Sequence, residues 1–253
     1  MTRQLLRLDE HRGIHRIILD HGPNALDREL MGAFRRELAK LRSAGSPALL
    51  VASAHPTLFC PGWDLKILVD ADRSAVAEFL ADFNGLILDL FSYPGPTAAA
   101  LEGHAVAGGC LLAQACDLRV MGSGKARLGL SELNLGVPVP GTSLRMLTSR
   151  LSSAAVDHLV FRGEGCTAER AQEYGLVHRT AAPEEAFNVT EIELGKLAGR
   201  PRAAFVETKK LLLGAVWDDM RRTWPEEEAA FLDCWFDDET QERIKGVASR
   251  LRQ

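Results

Sequence analysis

Residues 98–121 read Ala98-Ala99-Ala100-Leu101-Glu102-Gly103-His104-Ala105-Val106-Ala107-Gly108-Gly109-Cys110-Leu111-Leu112-Ala113-Gln114-Ala115-Cys116-Asp117-Leu118-Arg119-Val120-Met121. Residues 98–101 and 118–121 are short apolar runs that read as buried strands. Between them Gly108 and Gly109 open an apolar helix. Strands separated by helices argue for an α/β core. The first N–H groups of a helix are unpaired and carry partial positive charge. Such an end holds an anion or a developing oxyanion. The glycines serve equally to let helix and strand pack closely, and the stretch alone leaves both readings open.

The pattern repeats upstream. Residues 14–19 form an apolar run ending at Asp20-His21-Gly22-Pro23, and residues 48–53 form another. Both read as strands. Asp27 is placed to cap a helix whose stripe is Leu30, Phe34, Leu38 and Leu41. Ser74 opens a second helix, with Val76, Phe79, Phe83, Leu86, Ile87 and Leu90 inward and Pro94-Gly95-Pro96 as its breaker. From Ser143 onward the pattern is helical, apart from a short apolar break at Gly175-Leu176-Val177. Gly199, Pro201 and Pro225 punctuate the last helices.

Bulk composition narrows the function classes. The 253 residues are 46% hydrophobic and 25% charged, with a formal charge of −4. That is an ordinary globular balance with no electrostatic case for nucleic acid. No run reaches the roughly 20 apolar residues of a membrane span. The polar N-terminus is not a secretory signal. The five cysteines lack CxxC spacing and read as reduced, buried thiols of a cytoplasmic protein. No HExxH occurs among the histidines, so no metal is expected. Gly122-Ser123-Gly124-Lys125 fails as a P-loop, because Arg119 and Ala126 occupy its first glycine and its Ser/Thr positions. No Gly-x-Ser-x-Gly elbow is present.

Two further segments carry chemistry-bearing residues. Phe59-Cys60-Pro61-Gly62-Trp63-Asp64-Leu65-Lys66 follows a strand and holds both Pro and Gly, the mark of a constrained loop. It is either a surface turn or a loop that leaves an amide N–H free for a ligand oxygen. In residues 128–141 Glu132 is a lone acid amid apolar residues. Burial would raise its pKa and make it a proton carrier; the competing reading is an exposed turn acid.

In this order and spacing the segments resemble the enoyl-CoA hydratase/isomerase (crotonase-like) family over nearly the whole chain. The resemblance rests on Asn24-Ala25-Leu26, on residues 59–66, on residues 107–117, and on Ala-x-x-Ala-x-x-x-Gly-Leu-Val at 168–177. It implies a ββα-repeat α/β core over residues 1–195 and a C-terminal helical trimerisation region over 196–253. It implies an acyl-CoA thioester as partner, with coenzyme A as part of the substrate and no separate cofactor, and a homotrimer or dimer of trimers. By position, the main-chain N–H groups of Trp63 and Gly108 would form an oxyanion hole. Pro61, Lys66 and Ala25 would border the CoA moiety, and residues 235–252 resemble the helix that completes a neighbour's CoA site. Leu111, Asn134 and Pro138 would line the acyl pocket, which the Trp63 indole narrows or reshapes.

Hydratases of this family use two glutamates. One matches Glu132, but Leu111 stands where the other belongs. The pattern is more similar to the 3-enoyl-CoA to 2-enoyl-CoA isomerases, with Glu132 as sole proton shuttle. A hydratase, hydrolase or decarboxylase on the same scaffold is the alternative, and a non-catalytic acyl-CoA-binding protein is a third reading.

Overall fold

The computed structural model describes residues 5–252. The chain begins with β1 (Leu6–His11), β2 (Ile14–Leu19) and α1 (Arg28–Ser43). It continues through β3 (Ala48–Ser53), β4 (Leu58–Cys60), α2 (Leu65–Leu68), α3 (Arg73–Phe91), β5 (Thr97–Leu101), β6 (His104–Val106) and α4 (Gly108–Gln114). Then come β7 (Leu118–Gly122), β8 (Leu128–Gly129), α5 (Glu132–Leu135), α6 (Gly141–Arg150), α7 (Ser153–Phe161), α8 (Ala168–Glu173) and β9 (Arg179–Ala181). α9 (Ala186–Ala198), α10 (Arg202–Trp235) and α11 (Asp238–Arg252) close it.

The strands form two sheets. The larger has the order β1-β2-β3-β5-β7-β9, antiparallel only between β1 and β2, and the smaller is the parallel trio β4-β6-β8. The first repeat puts both its strands, β1 and β2, in the large sheet. The pairs β3/β4, β5/β6 and β7/β8 each send one strand into each sheet before turning into helix, the expected ββα pattern. The consequence for function is geometric. Residues 61–66, 107–108 and 130–132 each leave the carboxyl end of a small-sheet strand. Because β4, β6 and β8 are parallel neighbours, the three segments emerge side by side, where open parallel sheets collect ligands.

Side-chain alternation along the large sheet feeds two cores. Leu49, Val51, Ala99 and Leu101 join the main core, while Leu50, Ala52, Ala98 and Ala100 face the opposite side, covered by Phe187 and Leu194 of α9. The expected stripe of α1 is buried, and Asp27 caps it by accepting from the Leu30 N–H at 2.7 Å. Burying each such Leu or Phe contributes roughly 1.5–3 kcal/mol. α9 runs across position 195, α10 packs against α3 and α6, and α11 packs against α2 and α5.

Four local expectations are revised. α3 starts at Arg73, because Asp72 rather than Ser74 caps it by accepting from the Ala75 N–H. Pro225 does not end a helix; α10 runs through it. Arg145 of α6 bridges Asp219 and Glu227, each at 2.7 Å, on either side of that proline, which holds the helix together where one backbone bond is lost. Cys234 is exposed, unlike the other cysteines. A strand, β9, follows the break at 175–177. Among the described residues no helix is long and apolar enough to cross a membrane.

Candidate active site

The site is assembled by one asparagine. Asn24 sits at φ +60°, a backbone state that asparagine tolerates better than most residues. Its Oδ1 accepts from the His21 N–H at 2.8 Å, and its Nδ2 donates to Ser53 Oγ at 2.7 Å and to the Phe59 carbonyl at 3.3 Å. The ends of β2, β3 and β4 are thereby tied together. Two residues on, the Leu26 N–H donates to the Gly62 carbonyl at 2.7 Å, and the Leu26 carbonyl accepts from the Asp64 N–H at 2.9 Å. The intervening Trp63 N–H therefore points away from Leu26. Among the described residues no acceptor takes it.

The start of α4 meets this loop directly. A Cβ on Gly109 would collide with the Cys60 carbonyl oxygen, and a Cβ on Gly62 (φ +94°) would lie 3.1 Å from the Gly108 nitrogen. The glycines are thus required for close packing, and the same packing sets the Gly62–Trp63 peptide beside the Gly108 N–H. No side chain caps α4, and no acceptor among the described residues takes the Gly108 N–H. Ala107, just before it, is held at φ +50° and ψ −126°. Such a conformation costs a non-glycine residue about 1–3 kcal/mol and persists only where the surroundings enforce it.

Both peptides border a cavity of about 700 Å³. Glu132 borders it too, at the start of α5. Its Oε2 accepts from the Ser131 N–H at 2.8 Å. Burial pushes its carboxyl up to about 7, against the opposing pull of the Glu132 and Ser131 N–H groups. Leu111, fully buried on α4, lines the same space. A carboxylate that titrates near neutrality, with an aliphatic neighbour and unpaired amides at the same cavity, can exchange a proton with a carbon acid.

Of the other residues read from the sequence, Ala25, Pro61, Lys66 and Asn134 also line the cavity. Pro138 does not: the chain leaving α5 turns Val137 and Pro140 inward instead. Residues 235–252, expected to reach a neighbour, line their own chain's cavity through Trp235, Val247, Arg250 and Leu251. α11 is fastened across the opening. Arg243 donates to the Asn134 carbonyl at 3.0 Å, Thr240 Oγ1 to the Gly136 carbonyl at 3.3 Å, and Arg252 to the Lys66 carbonyl at 2.8 Å. Arg250 joins Lys66 as a cation at this cavity. The sequence reading missed Phe231, read Phe83 only as a core residue, and reached Trp235 and Arg250 only within residues 235–252 as a neighbour's site; the i, i+4 spacing of Phe231 and Trp235 hinted at a shared face.

The profile of the enoyl-CoA hydratase/isomerase family matches residues 9–249. The chain belongs to this family. This enoyl-CoA hydratase/isomerase family member is 33% identical over 181 residues to enoyl-CoA hydratase domain-containing protein 2, mitochondrial, of Bos taurus, a match covering 70% of this chain and 61% of that one. It is 31% identical over 172 residues to methylglutaconyl-CoA hydratase, mitochondrial, of Mus musculus, covering 67% and 54%. The match thus spans less than two thirds of these curated relatives. Human mitochondrial delta3-delta2-enoyl-CoA isomerase shares the fold, with a TM-score of 0.93 over 98% of each chain at 21% identity.

Proposed function

We propose that this family member isomerises 3-enoyl-CoA thioesters to 2-enoyl-CoA thioesters. The thioester oxygen accepts from the Trp63 and Gly108 N–H groups. The Glu132 carboxylate removes a proton from C2, and the C–H electron pair moves into a dienolate whose negative charge rests on that oxygen. Glu132 then returns the proton to C4, so the double bond shifts and no water is consumed. A preset donor at the oxyanion contributes about 3–4 kcal/mol. The reading rests above all on Leu111 lining the same cavity as Glu132: an aliphatic side chain can neither orient water nor carry a proton. The names of the relatives favour a second reading, hydration of 2-enoyl-CoA.

Product analysis separates the two. With a 3-enoyl-CoA thioester the expected product is 2-enoyl-CoA, without a 3-hydroxyacyl species. Predominant 3-hydroxyacyl-CoA formation from 2-enoyl-CoA would sink the isomerase reading in favour of hydration. Leu111→Glu restores a second carboxylate, and 3-hydroxyacyl product is expected to appear in that variant alone.

The reading requires no cofactor beyond the coenzyme A of the substrate, whose phosphates Lys66 and Arg250 are suited to meet. Assembly as a homotrimer or dimer of trimers is supported by Leu211 and Leu212, 79% and 74% exposed on α10; light scattering measures it. Cytoplasmic residence is supported by the free cysteines and is tested by cell fractionation.

A further inference from the structure

The backbone of Trp63 has a place in the chemistry above, but its side chain does not. The indole is held by four rings. Phe79 and Phe83 of α3 meet it edge-to-face at 5.0 and 5.3 Å, and Phe231 and Trp235 of α10 lie tilted, each at 5.7 Å. Trp63, Phe83, Phe231 and Trp235 line the cavity, and Phe79 is buried behind them. The charged residues of the lining, Asp64, Lys66, Glu132 and Arg250, come from the loop before α2, from α2, from α5 and from α11. None comes from α3 or α10. One wall is therefore aromatic throughout, and it adjoins the Trp63 and Gly108 amides; a Cβ on Gly108 would lie 3.1 Å from the indole Cδ1.

Building on the isomerase reading, we propose that this wall selects acyl-CoA thioesters whose chain carries an aromatic ring next to the double bond, and that the Trp63 indole sets the preference. Two physical effects act together. The indole cannot swing aside without losing four ring contacts, so it closes the direct path a straight alkyl chain would follow past the reacting carbons. A planar ring, by contrast, completes the edge-to-face and offset arrangement of the wall and gains beyond its buried area, which a saturated chain does not. The wall offers no charged group to the ring it accepts.

The test compares 4-phenyl-3-butenoyl-CoA with 3-decenoyl-CoA, of equal carbon number, as substrates. In parallel, calorimetry compares the unreactive 4-phenylbutanoyl-CoA and decanoyl-CoA as ligands, so that buried carbon count is matched. We expect kcat/KM and affinity both to favour the aryl thioester by about tenfold or more. Trp63→Leu keeps the main-chain N–H and removes the ring; the aryl-to-linear ratio should fall about tenfold toward unity. Equal or reversed preference in the calorimetric comparison overturns the proposal. If neither thioester is isomerised but the aryl ligand still binds preferentially, the isomerase reading fails and the selectivity of the wall stands. Should Trp63→Leu not fold, the wild-type ligand comparison decides alone.

Discussion

The two ends of α4 each have a half-buried carboxylate nearby, and the two carboxylates have opposite fates. At the N-terminal end Glu132 has no cation beside it, accepts from main-chain N–H groups, and titrates near 7. Beyond the C-terminal end, Asp117 accepts from Lys209 at 2.6 Å, from Arg150 at 2.9 Å, and from the Thr97 N–H and hydroxyl at 3.0 Å each. Burial alone would raise the Asp117 carboxyl, but Lys209 and Arg150 outweigh it and hold the group below its usual value of 3.8. The same functional group, desolvated in both places, is a proton carrier where it is left without a cation and a rivet where it is saturated.

Exchanging these roles should fail in different observables. Glu132→Gln keeps the shape and removes the base; isomerase turnover is expected to drop by about 10³-fold or more while the far-ultraviolet circular dichroism is unchanged. Retained turnover would show that the cationless acid is not the shuttle. Asp117→Ala should instead act on stability. It leaves the Lys209 and Arg150 charges buried without their carboxylate, at a cost of about 3–5 kcal/mol in urea unfolding. A loss of turnover without loss of stability would erase the distinction between the two carboxylates.

The pH dependence sharpens the contrast. Glu132 has a folded pKa raised from 4.5 to about 7, so between those values the native state binds more protons than the unfolded state. Its contribution to stability therefore declines as pH rises through that window, while kcat/KM climbs with an acid limb near 7. Glu132→Gln should be more stable than wild type by about 3 kcal/mol at pH 8, and by little at pH 4. Asp117 works in the other direction: its stabilisation is present above 3.8 and is lost as pH falls through its depressed folded value. The smallest expected effect concerns the backbone next to the Gly108 amide. Ala107→Gly relieves a positive φ and should stabilise the fold by about 1 kcal/mol, measured by thermal unfolding.

Much of this was readable in the sequence, and the unreadable part has physical reasons. The large-sheet strands at 14–19, 48–53, 98–101 and 118–121 announced themselves as apolar runs. The small sheet did not, because strands of two or three residues such as Leu128–Gly129 have no periodicity to detect. Glu132 could be singled out because a lone acid among apolar residues is a local signal, whereas Trp63 and Leu111 were reached only by position in the family resemblance. The aromatic wall could not, since residues 63, 83, 231 and 235 meet only through tertiary packing. Pro138 was misplaced for a related reason: which of several residues after a short helix turns inward depends on the αL turn at Gly136 (φ +86°), not on hydrophobicity.

The strap formed by α11 has a further consequence. Arg243 and Thr240 hold the segment that bears the acid, and Arg252 holds the segment that follows the Trp63 amide. One cylinder thus latches both halves of the reaction centre. Peeling it away would release grip and chemistry in a single event, so amide-exchange protection along its length becomes a gauge of how often the centre is assembled.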